Sequence, residues 1–335
     1  MPFRRLSANF ISQVQSSIRI TSLGDVVLGL LDNSLDAGAS RVHISLDAEH
    51  GSCTVEGDGL GISPNRFDEL DSTAADVQPL DPDWSLEEVH KRESNFLASV
   101  AALSKITITS KHHQNYSRNA LLIQYGDTTA HYRLAHSSDA ILLSPGHGTT
   151  VAVRDLFGRM PVRIKQRKSF VAVGGAFAHS WLDLRRRTFA RMLAKVRSVD
   201  LTVREMGVHP RLLLRVTSTK AASKKDMLTS LLSSAAQLSV DARSSFILMS
   251  ASTSALTLKG LISIIPVSSK SSQFVSIGTY PCDTDSEHGA LHDVVNQLFD
   301  CSDFAQDSSN AQLRSSFRVA RMARKLHWTD QRRSP

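Results

Sequence analysis

The sequence predicts an α/β sandwich, with helices on one face of a mixed sheet, followed by a second and strongly basic domain. Three observations carry this reading. Short runs with β-type alternation are interleaved with helical segments through the first half, as in a layered α/β unit. At 335 residues the chain is longer than one hydrophobic core usually organises, which favours two domains. The charge is also divided: residues 1–150 hold 11 Lys/Arg against 18 Asp/Glu, whereas residues 151–335 hold 28 against 14. An acidic half joined to a basic half points the second half at a polyanion.

Composition narrows the classes further. At 41% hydrophobic and 21% charged, the chain is expected to fold rather than to remain disordered. No stretch approaches the roughly 18 unbroken apolar residues of a membrane helix, and MPFRRLSANFISQVQSS lacks the apolar run of a secretory signal. Cys53, Cys282 and Cys301 have neither metal-site spacing nor the density of a disulfide framework. An intracellular protein, with no membrane partner and no sequence-visible metal cluster, is the expectation.

In chain order, Thr21-Ser22 caps a helix, LGDVVLGLLDNSLDA, that stops at Gly38. RVHISLDAEHGSCTVEGDGLGI reads as two strands turning near His50-Gly51, the first alternating Val42, Ile44 and Leu46. Residues 63–92 are acidic, contain proline and lack periodicity, the signature of a loop. FLASVAALSKITITSK gives a buried helix and then a strand over 105–110, with further strands at 119–125, 130–134 and 148–154. A break falls at GRMPVR, 158–163, which sets the expected domains at 1–160, 161–300 and a poorly ordered basic tail, 301–335. The second domain opens with a basic helical stretch, 163–197, interrupted by Gly174-Gly175. Strands follow at 199–204, 211–217, 245–249 and 260–267, then a helix at 291–299, with Ser-rich loops at 217–235 and 268–272.

Two clusters carry candidate chemistry. Asn33 stands late on the first helix with Asp36 one turn on, and an amide oxygen there suits a hydrated Mg²⁺. Asp58 sits in VEGDGLGI, where Gly59 and Gly61 let backbone approach a flat ligand, and its carboxylate would accept an adenine amino proton. Taken singly, the first is also an ordinary helix end and the second an ordinary turn.

The two together, about 25 residues apart, resemble the Bergerat-fold (GHKL) ATPases: gyrase, Hsp90, histidine kinases and MutL. HGTTVAVRDLFGRMPVR chooses among these. It resembles the MutL mismatch-repair signature at Gly148, Thr149, Thr150, Val151, Val153, Leu156, Phe157, Pro161 and Arg163. LASVAALSKITITSK is similar to the stretch that follows the family's lid motif, and the chain is most similar to the eukaryotic branch called MutL homologue three. The resemblance covers most of residues 15–165. It implies an α+β architecture, a Bergerat α/β sandwich followed by a ribosomal-protein-S5-like transducer domain. It further implies an ATP- and Mg²⁺-binding clamp on double-stranded DNA in mismatch repair or meiotic recombination. The implied setting is the nucleus, with another MutL homologue and MutS-type proteins as partners. By position, Asn33 would ligand Mg²⁺, Asp58 would read adenine, and Gly59 and Gly61 would shape the pocket. Thr149 and Thr150 would lie beside the nucleotide, Thr150 nearer Asp58.

Several departures qualify this. Gly29 occupies the place of the family's general-base glutamate, so impaired hydrolysis is expected. The glycine-rich lid is replaced by KRESNFL, 91–97, where only Lys91 and Arg92 offer phosphate contacts, and no glycine occurs between Gly61 and Gly126. The family's γ-phosphate lysine segment is not found and no endonuclease domain follows, which suggests a truncated or diverged product. For DNA, the expected contacts are Arg163, Lys165, Arg167 and Lys168, then Arg185, Arg186 and Arg187. A further basic face runs through Arg314, Arg318, Arg321, Arg324 and Lys325. A non-catalytic DNA-binding or interaction remnant is the alternative reading.

Overall fold

The computed structural model describes residues 8–73, 96–115, 117–134, 146–172, 174–195, 199–207, 210–217, 223–235, 246–263, 273–282 and 289–300. Two helices, α1 (Ala8–Arg19) and α2 (Leu23–Asp36), precede the hairpin β1 (Arg41–Asp47) and β2 (Ser52–Gly57). Then come α3 (Pro64–Thr73), α4 (96–103), β3 (Lys105–Lys111), β4 (Arg118–Gln124), β5 (Asp127–Leu134) and β6 (Gly148–Arg154). Helices α5 (Pro161–Ala172) and α6 (Gly174–Lys195) lead to β7 (Asp200–Glu205) and β8 (Arg211–Val216). Helix α7 (Lys224–Ala235) and the hairpin β9 (Phe246–Ser252) and β10 (Thr257–Ser263) follow. Last are β11 (Val275–Ile277), β12 (Tyr280–Cys282) and α8 (Gly289–Asp300).

Eight strands form one sheet in the order β5-β4-β3-β6-β2-β1-β7-β8. Only β1–β7 is parallel; the other six pairings are antiparallel. Strict alternation on β1 and β2 buries Val42, Ile44 and Leu46 with Cys53 and Val55 on one face. Ile106, Ile108, Val151 and Val153 continue that row, and Val26, Val27, Leu30, Leu31 and Leu35 of α2 pack over it. The opposite face carries Arg41, His43, Ser45, Thr54, Glu56, Thr107 and Thr109, all only partly buried. One apolar, helix-covered face and one polar face are what a largely antiparallel sheet permits. The expected α/β sandwich is therefore the fold.

The strands at 200–205 and 211–216, expected in a second domain, extend this first sheet, so a boundary at residue 160 does not separate the sheets. The reason is topological. β1 is an inner strand whose free side accepts β7 in parallel, and a parallel neighbour needs a long crossover, here α5 and α6. Three helices depart from expectation. The span 64–73, read as loop, is α3, which anchors the fully buried Phe67. The Ser-rich 224–235 is α7; Ser223 caps it through Asp226, and Leu231 is buried. α1, where no helix was expected, carries Phe10, Val14 and Ile18 on an exposed apolar stripe. The described residues 275–277, 281–282 and 289–300 belong to a second unit, in which the His292 ring Nε2 meets the Cys282 carbonyl at 3.2 Å.

Candidate functional site

Helix α2 begins with a reciprocal capping box: the Ser22 hydroxyl accepts the Asp25 N–H, and the Asp25 carboxylate accepts the Ser22 N–H. It ends at Ala37, with Gly38 at φ 77°. Asn33 lies on its last turn, half-buried, and its side-chain amide bonds to none of the described residues. The neighbouring carboxylates are committed. Arg187 meets Asp25 at 3.0 Å, Arg191 meets Asp32 at 2.8 Å, and Lys195 meets Asp36 at 2.5 Å and Asp32 at 3.8 Å. Residues one turn apart on α6 thus hold α2 by an ion ladder. Burial pushes the Asp25 carboxyl up, but hydrogen bonds from Thr21 and the Arg187 charge outweigh it and leave the pKa lowered. At Asp32, burial prevails over Arg191 and Lys195 and the pKa is raised.

Register decides which residues face Asn33's helix. Gly57, Thr149 and Ser110 are cross-strand neighbours in one row, continuous with the buried Val55–Val151–Ile108 row beneath them. A Cβ on Gly57 would point at Ser34 of α2, 3.2 Å from its hydroxyl. Glu56, Thr150 and Thr109 form the adjacent row and point to the polar face. Asp58 follows Glu56 by two residues and shares that face. Its Oδ1 accepts the Ser40 and Arg41 backbone N–H groups, both at 2.7 Å. Its Oδ2 accepts the Ser40 hydroxyl at 2.7 Å and Arg41 Nε at 3.3 Å. A carboxylate offers about four acceptor positions, and all are used within the chain. Burial opposes the Asp58 charge, but these donors outweigh it and hold the pKa below its usual value.

The remaining site residues serve the loop after β2. A Cβ on Gly59 would lie 2.7 Å from the Ala37 carbonyl oxygen, and Gly61 holds φ 78° against the Lys111 carbonyl. These glycines let the loop pack on α2 and β3. Ser110, fully buried and unforeseen from the sequence, accepts the Ile62 N–H at 2.8 Å and lies 2.9 Å from the Gly148 carbonyl. Its hydroxyl is 2.7 Å from that of Thr149. Gly29 lies in mid-helix under the ring of Phe96. Asn33 would offer ATP·Mg²⁺ an oxygen ligand, with Thr149 on the same side of the sheet. Among the described residues no carboxylate stands on that face to receive the nucleobase, so the residues present do not fit the adenine-reading part of that group. Lys91 and Arg92 lie outside the described residues.

Most of the expected DNA contacts are internal ties. Arg163 donates to the Ser17 and Thr21 carbonyls and stacks over Phe157. Arg167 donates to the Glu49 and Leu156 carbonyls, Arg185 to Ser234, and Arg187 to Asp25. Arg186 is half-buried and also engaged. Lys165 and Lys168 are exposed, with side chains that meet no described partner. The basic residues at 314–325 lie outside the described residues.

Comparison with known proteins agrees with this architecture. Residues 20–147 match the family model described as histidine kinase-, DNA gyrase B-, and HSP90-like ATPase. Over 177 residues the chain is 27% identical to the DNA mismatch repair protein MutL of Caulobacter vibrioides, covering 50% of this chain and 26% of that protein. The MutL of Carboxydothermus hydrogenoformans is 30% identical over 172 residues, 50% of this chain and 28% of that one. The chain thus spans about a quarter of the length of these relatives. Among solved structures, the N-terminal domain of a DNA repair protein superposes with a TM-score of 0.60 at 17% identity, covering 88% of this chain and 84% of that one. The Aquifex aeolicus MutL ATPase domain complexed with ADP gives 0.53 at 21%, covering 83% and 88%. The N-terminal half of the chain is a GHKL-type ATPase-fold domain whose sequence relatives are MutL proteins.

Proposed function

We propose that the protein is a MutL-type module of DNA mismatch repair. It engages duplex DNA together with a second MutL-type chain, and nucleotide held at Asn33 is turned over slowly or not at all. The sequence likeness of the first half to MutL carries this reading, and Gly29 supports the loss of turnover. The DNA-facing role falls to Lys165 and Lys168 on α5, within the stretch 161–195 where Lys and Arg far outnumber Asp and Glu, with the remainder of 161–300 in the place of an S5-like transducer. A nuclear location rests on the basic run from Arg314 to Lys325.

Fluorescence anisotropy with unrelated duplexes over a salt series tests the DNA role. Sequence-independent binding that weakens steeply with salt is expected, with phosphate release from ATP·Mg²⁺ at background. No binding at low salt overturns it. The saturated Asp58 carboxylate favours a second reading, a DNA-binding remnant that no longer takes nucleotide. Absence of any nucleotide-induced change in affinity or melting temperature would select that alternative.

A further inference from the structure

We infer that Phe96 is a plug built into the general-base position: its ring stands where any side chain at residue 29 would project. Gly29 lies in the middle of α2, where glycine costs about 1 kcal/mol relative to alanine. The structure gives a reason for it. A Cβ built on Gly29 would fall within 2.6 Å of three ring carbons of Phe96, the first described residue of α4. Real side chains do not tolerate such approach, so the ring and the missing side chain are alternatives. Phe96 packs against the same core cluster that holds α2 on the sheet. The contact therefore pins α4 to α2 through an apolar knob in a glycine notch.

No other carboxylate of α2 replaces the lost base. Asp25 is held by its cap and Arg187, Asp32 by Arg191 and Lys195, and Asp36 by Lys195. The joint is apolar where the fold's relatives are expected to be reactive, and restoring a glutamate at position 29 is not sufficient to restore chemistry. Naming position 29 as the base position rests on the reading under Proposed function; the steric exchange between Gly29 and Phe96 does not.

A double-mutant cycle on the full chain, read by thermal denaturation, tests the exchange. Gly29→Ala in the parent is expected to lower Tm by about 3 °C or more through overpacking. In a Phe96→Ala background the same change is expected to raise Tm, because the notch is open and alanine favours the helix. This reversal of sign supports the plug. Gly29→Ala raising Tm in both backgrounds overturns it. Phosphate release from ATP·Mg²⁺ by Gly29→Glu and by Gly29→Glu/Phe96→Ala separates the two claims. Release in the double variant alone supports both. Release by Gly29→Glu alone overturns the plug. Reversal of sign without release in either variant, at ATP concentrations shown by titration to saturate both, keeps the plug and sinks the base assignment.

Discussion

The two faces of the eight-stranded sheet hold different halves of the expected site. On the helix-covered face stand Asn33, Ser34, Gly57, Thr149 and Ser110, with small side chains or none. On the polar face stand Asp58, Thr150 and Glu56, which include the carboxylate and the threonine that a nucleotide reader would be expected to use. Residue types alone do not make a site. A single step along a strand sends a side chain to the opposite side, and there Asp58 closes the start of β1 rather than facing a ligand.

The largest expected effect tests the structural role of Asp58. Asp58→Ala leaves two backbone N–H groups and the Ser40 hydroxyl without their acceptor, and should cost about 3 kcal/mol in chemical denaturation. The effect has a definite pH sign. The folded pKa of Asp58 is lowered, so its contribution is full above the unfolded value of about 4 and is lost as pH falls through the folded value. Parent and Asp58→Asn should therefore converge in acid and differ most near neutrality.

Next comes Gly57→Asp, which moves a carboxylate to the helix-covered face beside Ser34. A charged hydrogen bond to a bound adenine should tighten a fluorescent ATP analogue about tenfold, measured by titration. Unchanged affinity would break the claim that this is the reading face. Smaller again is the contrast among the basic residues. Arg163→Ala should lower stability by about 1 kcal/mol through its lost ties to Ser17 and Thr21. Lys165→Ala/Lys168→Ala should leave Tm unchanged and reduce the salt slope of DNA binding by about two. Thr150→Val should change nucleotide affinity least, by less than about 0.5 kcal/mol, because its side chain lies on the polar face.

Much of the fold was legible because its signals are local. The Ser22–Asp25 cap, the alternation of Val42, Ile44 and Leu46, and the buried helix before Lys105 are all short-range patterns. α3 and α7 were hidden by composition, since a single anchor such as Phe67 or Leu231 gives little periodicity. The side of the sheet was half legible. Cys53 and Val55 already place position 57, not 58, with the core, whereas the carboxylate at 58 signals chemistry by residue type and not by face. What no sequence pattern gives is tertiary pairing. That Gly29 meets Phe96, that α6 answers Asp25, Asp32 and Asp36, and that four arginines end on carbonyls or Asp25 all depend on distant elements meeting.

The central claim is that nucleotide, where it binds, is not read by Asp58. The most direct measurement is equilibrium titration of a fluorescent ATP analogue with Mg²⁺ into the parent, Asn33→Ala and Asp58→Asn, at a temperature well below the Tm of all three. The expected result is weaker binding for Asn33→Ala and an affinity for Asp58→Asn within about twofold of the parent. Saturable binding by the parent that disappears in a fully folded Asp58→Asn would contradict the account.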